Sequence, residues 1–282
     1  ADDMSKNATY AVVAPGTHKF RIRYWLRNTT DNPAGPIEGT VSKIVTLNCT
    51  AGSIHDITAN LDPHDYDGDH YYMWDAQNQY WKGYEWNQGG SQPTISQGLT
   101  GATSSNDYAQ SSTDSRWYHE GGGLGRFDAT QSCATLPNVN ELTWYADKGK
   151  PCWDGDELWT TMGHLYKGGM WFKKKSVLQA EGHYNSNTAY DGTDWRTNRN
   201  WKNWSVSQTP PSAAEAGNYF YLPTLGSYVS NRLSNVGGYG NYWSSSANPQ
   251  ASNTVYSLSF GYNSIFVAFD GRDRGLRVGG FE

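Results

Sequence analysis

At 282 residues the chain is long enough for one large domain or two of moderate size, with a real core. A net charge of −5, with only 17% of residues charged, excludes a basic field of the kind that holds nucleic acid, and no apolar run approaches the ~20 residues of a membrane helix. The 13 Trp, 20 Tyr and 31 Gly make up the palette of a loop-rich, secreted binding protein, with rigid amphipathic rings among small polar groups.

The chain opens at Ala1-Asp2-Asp3 with no leader-like segment, the start expected of a mature or trimmed chain. Phe20, Ile22, Tyr24 and Leu26 alternate with Arg21, Arg23, Trp25 and Arg27, the period-two pattern of a half-buried strand. A long turn over 28–36 leads to a second strand with Val41, Val45 and Leu47 on one face, and a third short strand carries Ile57, Ala59 and Leu61. These strands predict a small β-sandwich-like module over 1–66 that packs on the rest of the chain or on a partner subunit, with an open edge that invites strand addition.

Residues 62–70 (DPHDYDGDH) read as an acidic hinge. They are dense enough in carboxylates to hold a structural calcium ion, although the glycine falls at the wrong place for an EF-hand loop. A second, α+β domain is expected over 67–282. It opens with Tyr71, Tyr72, Trp74, Tyr80, Trp81 and Trp86, followed by a long polar loop over 87–116.

Two helices are predicted next. Asn138 or Asn140 caps one over 141–148, stopped by Gly149, and Asp154 or Asp156 caps a second through Leu158, Trp159, Met162 and His164. Gly168-Gly169 then breaks the pattern before a buried strand at Met170-Trp171-Phe172, and Lys173-Lys174-Lys175 reads as a solvated strand end. After a polar excursion over 182–212 containing Trp195, Trp201 and Trp204, the tail returns to hairpins, with Asp270-Gly271 as a turn. If Leu258, Phe260, Ile265 and Val267 point inward, Ser257, Ser259, Phe266 and Ala268 point outward.

Cys49, Cys133 and Cys152 have no C-x-x-C spacing, which argues against a zinc or thioredoxin-type site. Cys133 and Cys152 can pair, leaving Cys49 free. The histidines are dispersed without a nucleophile partner. Asp154, Asp156 and Glu157 have the composition of a glycosidase carboxylate pair, but aspartate at a helix start is the usual cap. No enzymatic activity and no cofactor are expected.

Two helices, long loops and C-terminal hairpins around Tyr242-Trp243-Ser244-Ser245-Ser246 resemble the C-type lectin fold. The pattern continues through Tyr256, Leu258, Phe260, Ile265, Val267, Arg272, Gly275 and Val278, and is most similar to the branch containing formylglycine-generating enzymes and the variable proteins of diversity-generating retroelements. LPNVNELTWY and LWTTMGHLYKGGMWFKKK, within 136–175, resemble secreted Bacteroidales proteins with this C-terminal domain. APGTHKFRIRYWLRN and HDITANLDP are similar to fimbrillin-type pilin or tip modules.

The resemblance implies an extracellular adhesin on the cell surface, at an outer-membrane-associated pilus tip. Its partners would be a protein or glycan on a host, microbial or phage surface, and other pilin subunits through the N-terminal module. It also implies a variable region over about 224–277. The expected ligand-binding face is Tyr228, Ser230, Asn231, Arg232, Ser234, Tyr239, Asn241, Ser257, Ser259, Tyr262, Asn263, Phe266, Ala268, Phe269, Asp270, Asp273, Arg274 and Leu276. Each of these residue types is reachable when the adenines of AAC-type codons are randomised. Phe266, Phe269, Tyr239 and Tyr262, with Arg232, Arg272 and Arg274, are the expected anchors.

A calcium-dependent lectin is the alternative. The nearest tripeptide, Asn248-Pro249-Gln250, and Trp243-Ser244-Ser245 lack the carboxylates that such sites use. A formylglycine-generating-type enzyme would need a reactive cysteine pair in the C-terminal region, and no cysteine follows Cys152.

Overall fold

In the computed structural model, which describes residues 9–28, 36–57, 61–87, 108–118 and 123–282, the N-terminal alternation becomes a long hairpin. Strands β1 (Gly16–Asn28) and β2 (Ile37–Cys49) pair antiparallel along their full length. Phe20, Ile22, Tyr24 and Leu26 are half-buried on one face, while Trp25 stands exposed on the other. Then follow β3 (His64–Asp65), β4 (Tyr71–Tyr72), α1 (Val139–Asp147), β5 (Cys152–Thr161), β6 (His164–Lys173), α2 (Lys175–Ala180) and β7 (Lys202–Ser205). The last third supplies β8 (Tyr219–Pro223), β9 (Leu225–Val229), β10 (Arg232–Val236), β11 (Gly240–Ala247), β12 (Thr254–Gly261), β13 (Ser264–Gly271) and β14 (Leu276–Arg277). The fold is mixed α+β, mostly sheet, with two α-helices among the described residues. None of its helices is long and apolar enough to cross a membrane, among the described residues.

One sheet has the order β1-β2-β5-β6-β8, with β3 beside β5. The other runs β10-β9-β11-β12-β13-β7, with β14 and β4 added beside β11. The main core lies between them. Met170, Phe172, Phe220 and Leu222 from the first sheet meet Tyr242, Leu258, Phe260, Ile265 and Val267 from the second, and Val139, Leu142 and Tyr145 of α1 close the side. A side chain of this size contributes about 1.5–3 kcal/mol when fully buried, so this layer supplies most of what holds the two sheets together.

Helix α1 starts where a capping box fixes it. The Asn138 side chain accepts from Glu141 N at 3.0 Å, and the Glu141 carboxylate accepts from Asn138 N at 2.8 Å. The predicted second helix is absent. Residues 154–164 belong to β5 and β6, joined by a two-residue turn at Met162 (φ +48°) and Gly163 (φ +75°), a backbone no helix adopts. The second helix instead follows β6 at Lys175–Ala180, with Lys173 ending the strand. Asp270-Gly271 does not turn either: both pair with β12, and the chain turns at Arg272-Asp273. Most of the loop expected over 87–116, and Ala59 of the predicted third strand, lie outside the described residues, and Ile57 is in no strand.

The hairpin of the expected N-terminal module is bonded into the first sheet. Thr40 bridges to Glu157 in parallel, and the Glu157 carboxylate accepts from Ser42 N and Oγ at 3.0 and 2.6 Å. Asp154, 2% exposed, accepts from Arg21 at 3.1 Å, Arg23 at 3.2 Å and Trp171 Nε1 at 3.1 Å. Arg21 also donates to Pro211 O and lies over the Trp171 ring. Since β1 is two places from β5 in the sheet order, the two arginine side chains reach across β2 to meet Asp154. Asp154 therefore acts as an internal counter-ion. All three cysteines are free thiols, with Cys133 held against Asp75 N and Cys152 donating to Lys150 O.

Candidate ligand-binding surface

The outer face of the second sheet is set by register. Asn241 pairs with Ser259, Ser259 with Phe266, and Phe266 with Asn203, forming one row across β11, β12, β13 and β7. The rows on either side, Leu258–Val267 and Phe260–Ile265, point the other way and are fully buried. Ser259 Oγ donates to Asn241 Oδ1 at 2.9 Å, so the polar members of the row are tied together while the Phe266 ring is half-exposed beside them. Ala268 is half-exposed next along β13. A rigid apolar layer thus underlies a row whose side chains are free to differ.

Two rings rise at one end of this row. Tyr262 and Asn263, both exposed, form the β12–β13 turn, and Tyr239 is half-exposed beside it, close enough that a Cβ on Gly261 would lie 3.0 Å from its ring. Tyr262 meets Trp153 edge-on at 6.2 Å, and its carbonyl accepts from Gln208 at 2.6 Å. A second group sits on two other turns. Ser230 and Arg232 are exposed, and Asn231 and Ser234 half-buried, in the β9–β10 hairpin; Asp273 and Arg274 are exposed after β13. Tyr228 joins these turns by exchanging backbone hydrogen bonds with Gly275 at 2.8 and 2.9 Å. Tyr80 Oη accepts from Asn231 N at 2.9 Å, fixing the hairpin tip from below. Asp270 is half-buried between Ser257 Oγ and Arg274, 2.5 Å from each.

Five expected surface residues are placed otherwise. Tyr228 is 1% exposed, stacked on Tyr80 at 4.9 Å and edge-on to Tyr71 at 5.1 Å. Ser257 and Leu276 are each 1% exposed because the far end of the outer face is roofed by a third apolar cluster, in which Trp74 and Tyr118 cover Trp243, Val255 and Leu276. Arg272 is buried there too, its guanidinium 4.6 Å from the Trp74 ring centroid and 4.7 Å from that of Tyr118. Phe269 pairs with Tyr256 on the core side, packs on its ring at 4.7 Å and is covered by the Arg199 guanidinium at 4.8 Å. Among the described residues, the end of the face nearer the β12–β13 turn is the open one.

The structure adds residues that sequence reasoning passed over. Trp201 is 58% exposed immediately before β7, and Asn203 is exposed opposite Phe266. Burial alternates here, with Trp201, Asn203 and Ser205 exposed and Lys202 and Trp204 half-buried, but residue type does not, since one Trp and the Lys stand on the faces opposite to their polarity. Behind this edge, Asp194 organises the loop. Burial pushes its pKa up, but hydrogen bonds from Arg196 and Asn140 outweigh that and hold the carboxyl down at about 2.

The calcium readings find little material. Asn248 spends its side chain on Thr254 Oγ1 and on Gln250 N, at 2.9 and 3.0 Å. Asp67 is engaged by His70 at 2.6 Å and Arg277 at 3.5 Å, and no three His, Cys, Asp or Glu side chains converge among the described residues. Compared with protein-family models, with curated proteins and with solved structures, the chain finds no match.

Proposed function

We propose that this protein is a cell-surface or pilus-tip adhesin of the C-type lectin-like type, and that its ligand meets the open end of the second sheet's outer face. The observation that carries the reading is the row Asn241–Ser259–Phe266–Asn203 lying directly over a fully buried layer, with Tyr239, Tyr262 and Trp201 exposed around it. Exposed aromatics among short polar side chains on a rigid sheet are the composition of a paratope, and aromatic anchors dominate interface energetics. Retroelement diversification of this face fits the same division between frame and surface.

The test is binding of fluorescently labelled protein to host epithelial cells and to a panel of bacteria, read by flow cytometry. Tyr239→Ala/Tyr262→Ala/Phe266→Ala should abolish binding while leaving the melting temperature within a few degrees of wild type. Binding that survives the triple change places the ligand elsewhere.

A further inference from the structure

Below the β9–β10 turn, the second apolar cluster contains a hollow of about 10 Å³, room for one water-sized group. Tyr80, Trp81, Trp86 and Tyr228 wall it with rings. Tyr80 stacks on Tyr228 at 4.9 Å and Trp81 meets Tyr228 edge-on at 6.1 Å, so these walls are fixed by their own packing. Gly68 lets the acidic segment lie against them, since a Cβ there would fall 2.6 Å from Trp86 Cδ1 and 2.5 Å from Met162 Cγ. Asp69 and Glu85 also line the hollow, and no Lys, Arg or His does. The two carboxylates differ. Glu85 Oε1 is engaged, accepting from Gln79 Nε2 at 2.9 Å and Gly83 N at 3.0 Å. Asp69 is half-buried; its backbone N–H donates to Asp67, but among the described residues no group donates to its carboxylate. Burial and the like charges of Asp67 and Glu85 raise its pKa against the pull of His70 and Arg277. Asp67 holds those two partners itself, at 2.6 and 3.5 Å.

We propose that this hollow takes one primary ammonium group, the lysine side chain of a protein that the chain binds. Aromatic rings attract a cation, and a carboxylate without a partner supplies the counter-charge and a strong hydrogen-bond acceptor. Size then selects: an ammonium head is as small as a water, whereas a quaternary ammonium is too bulky for the space. A single water that donates to Asp69 and accepts from the buried, unpaired Trp81 Nε1 is the competing occupant, and titration separates the two. The hollow shares only the buried Tyr228 with the expected ligand-binding face, so it stands or falls apart from the adhesin reading.

The test is an NMR titration of the isotope-labelled full chain, followed through the indole N–H signals of Trp81 and Trp86. Nα-acetyl-lysine methylamide and n-butylammonium should shift them. Nα-acetyl-norleucine methylamide, which keeps the stem without the charge, and tetramethylammonium, which keeps the charge without the fit, should not. Asp69→Asn should weaken binding of the lysine derivative about tenfold, the effect of one lost hydrogen bond between charged groups. Without amine, its melting temperature should match or exceed that of wild type, because the change removes a like charge beside Asp67 and Glu85. Phe266→Ala, on the outer face, should leave amine binding unchanged. The proposal is overturned by the absence of shifts with the lysine derivative, which assigns the hollow to water, or by equal shifts with norleucine or tetramethylammonium. It is also overturned if Asp69→Asn binds as tightly as wild type, or melts lower without amine, which would show the carboxylate already paired.

Discussion

The carboxylate of Asp154 holds the N-terminal hairpin to the rest of the chain, so Asp154→Ala is expected to loosen it. Asp154 is 2% exposed and its partner Arg21 is 8% exposed in the side chain, so truncation leaves a buried guanidinium without its counter-ion. Breaking such a pair costs about 3–5 kcal/mol. Arg23, 35% exposed, is screened by water and adds at most about 1 kcal/mol. At about 2–4 °C per kcal/mol for a protein of this size, the melting temperature should fall by roughly 6–24 °C. Urea unfolding followed by far-UV circular dichroism reads the loss, and limited trypsinolysis should cut first at Arg23 and Lys43. Arg21→Met/Asp154→Leu should recover most of the stability, because an apolar pair leaves no orphan charge. Asp154→Ala within about 0.5 kcal/mol of wild type, or a double variant as damaged as the sum of its singles, refutes the assignment.

Other perturbations are equally specific. Ser230 and Asn231 form the β9–β10 turn with φ of +47° and +60°, so Ser230→Gly should stabilise by about 1 kcal/mol in urea unfolding. Gly226 has φ +67°, and a Cβ there would sit 2.2 Å from Ser234 O and 2.9 Å from Val236 N, both backbone atoms with nowhere to go. Gly226→Ala should therefore cost about 2–4 kcal/mol and broaden the amide signals of β9 and β10. Asp194 has a folded pKa of about 2 against 3.8 unfolded, so its stabilisation is complete above pH 3.8 and is lost as pH falls towards 2. After allowance for its partial exposure this is about 1–2 kcal/mol, and Asp194→Asn should lack that part of the acid slope.

The inward set Leu258, Phe260, Ile265 and Val267 was legible because strict alternation leaves no other face for four large apolar side chains. Helix α1 was legible because Asn138 and Asn140 offer caps and Gly149 a stop, although sequence left the cap open between the two and the capping box with Glu141 decides it for Asn138. The β5–β6 hairpin was not. A bulge between Asp154 and Leu158 shifts the alternation by an irregular step, and Leu158, Trp159 and Met162 then fall at spacings a helix also uses. Alternation also reports a direction, not what lies beyond it. Tyr228, Ser257 and Leu276 are covered by Tyr80, Trp74 and Tyr118, more than 100 residues away in the chain, which no local pattern reveals. Trp201 escaped because the strand it precedes is only four residues long and its residue types do not alternate.

The division into a fixed frame and an adjustable face is tested most directly by a displayed library randomised at Asn241, Ser259, Tyr262 and Phe266, beside one randomised at Leu258, Phe260, Ile265 and Val267. Both are selected on a bacterium that the parent does not bind, and recovered clones are melted. Binders are expected from the first library alone, with melting temperatures within about 5 °C of the parent. If the outer positions prove as intolerant as the inner ones, or yield no binders, the outer face is not the ligand surface.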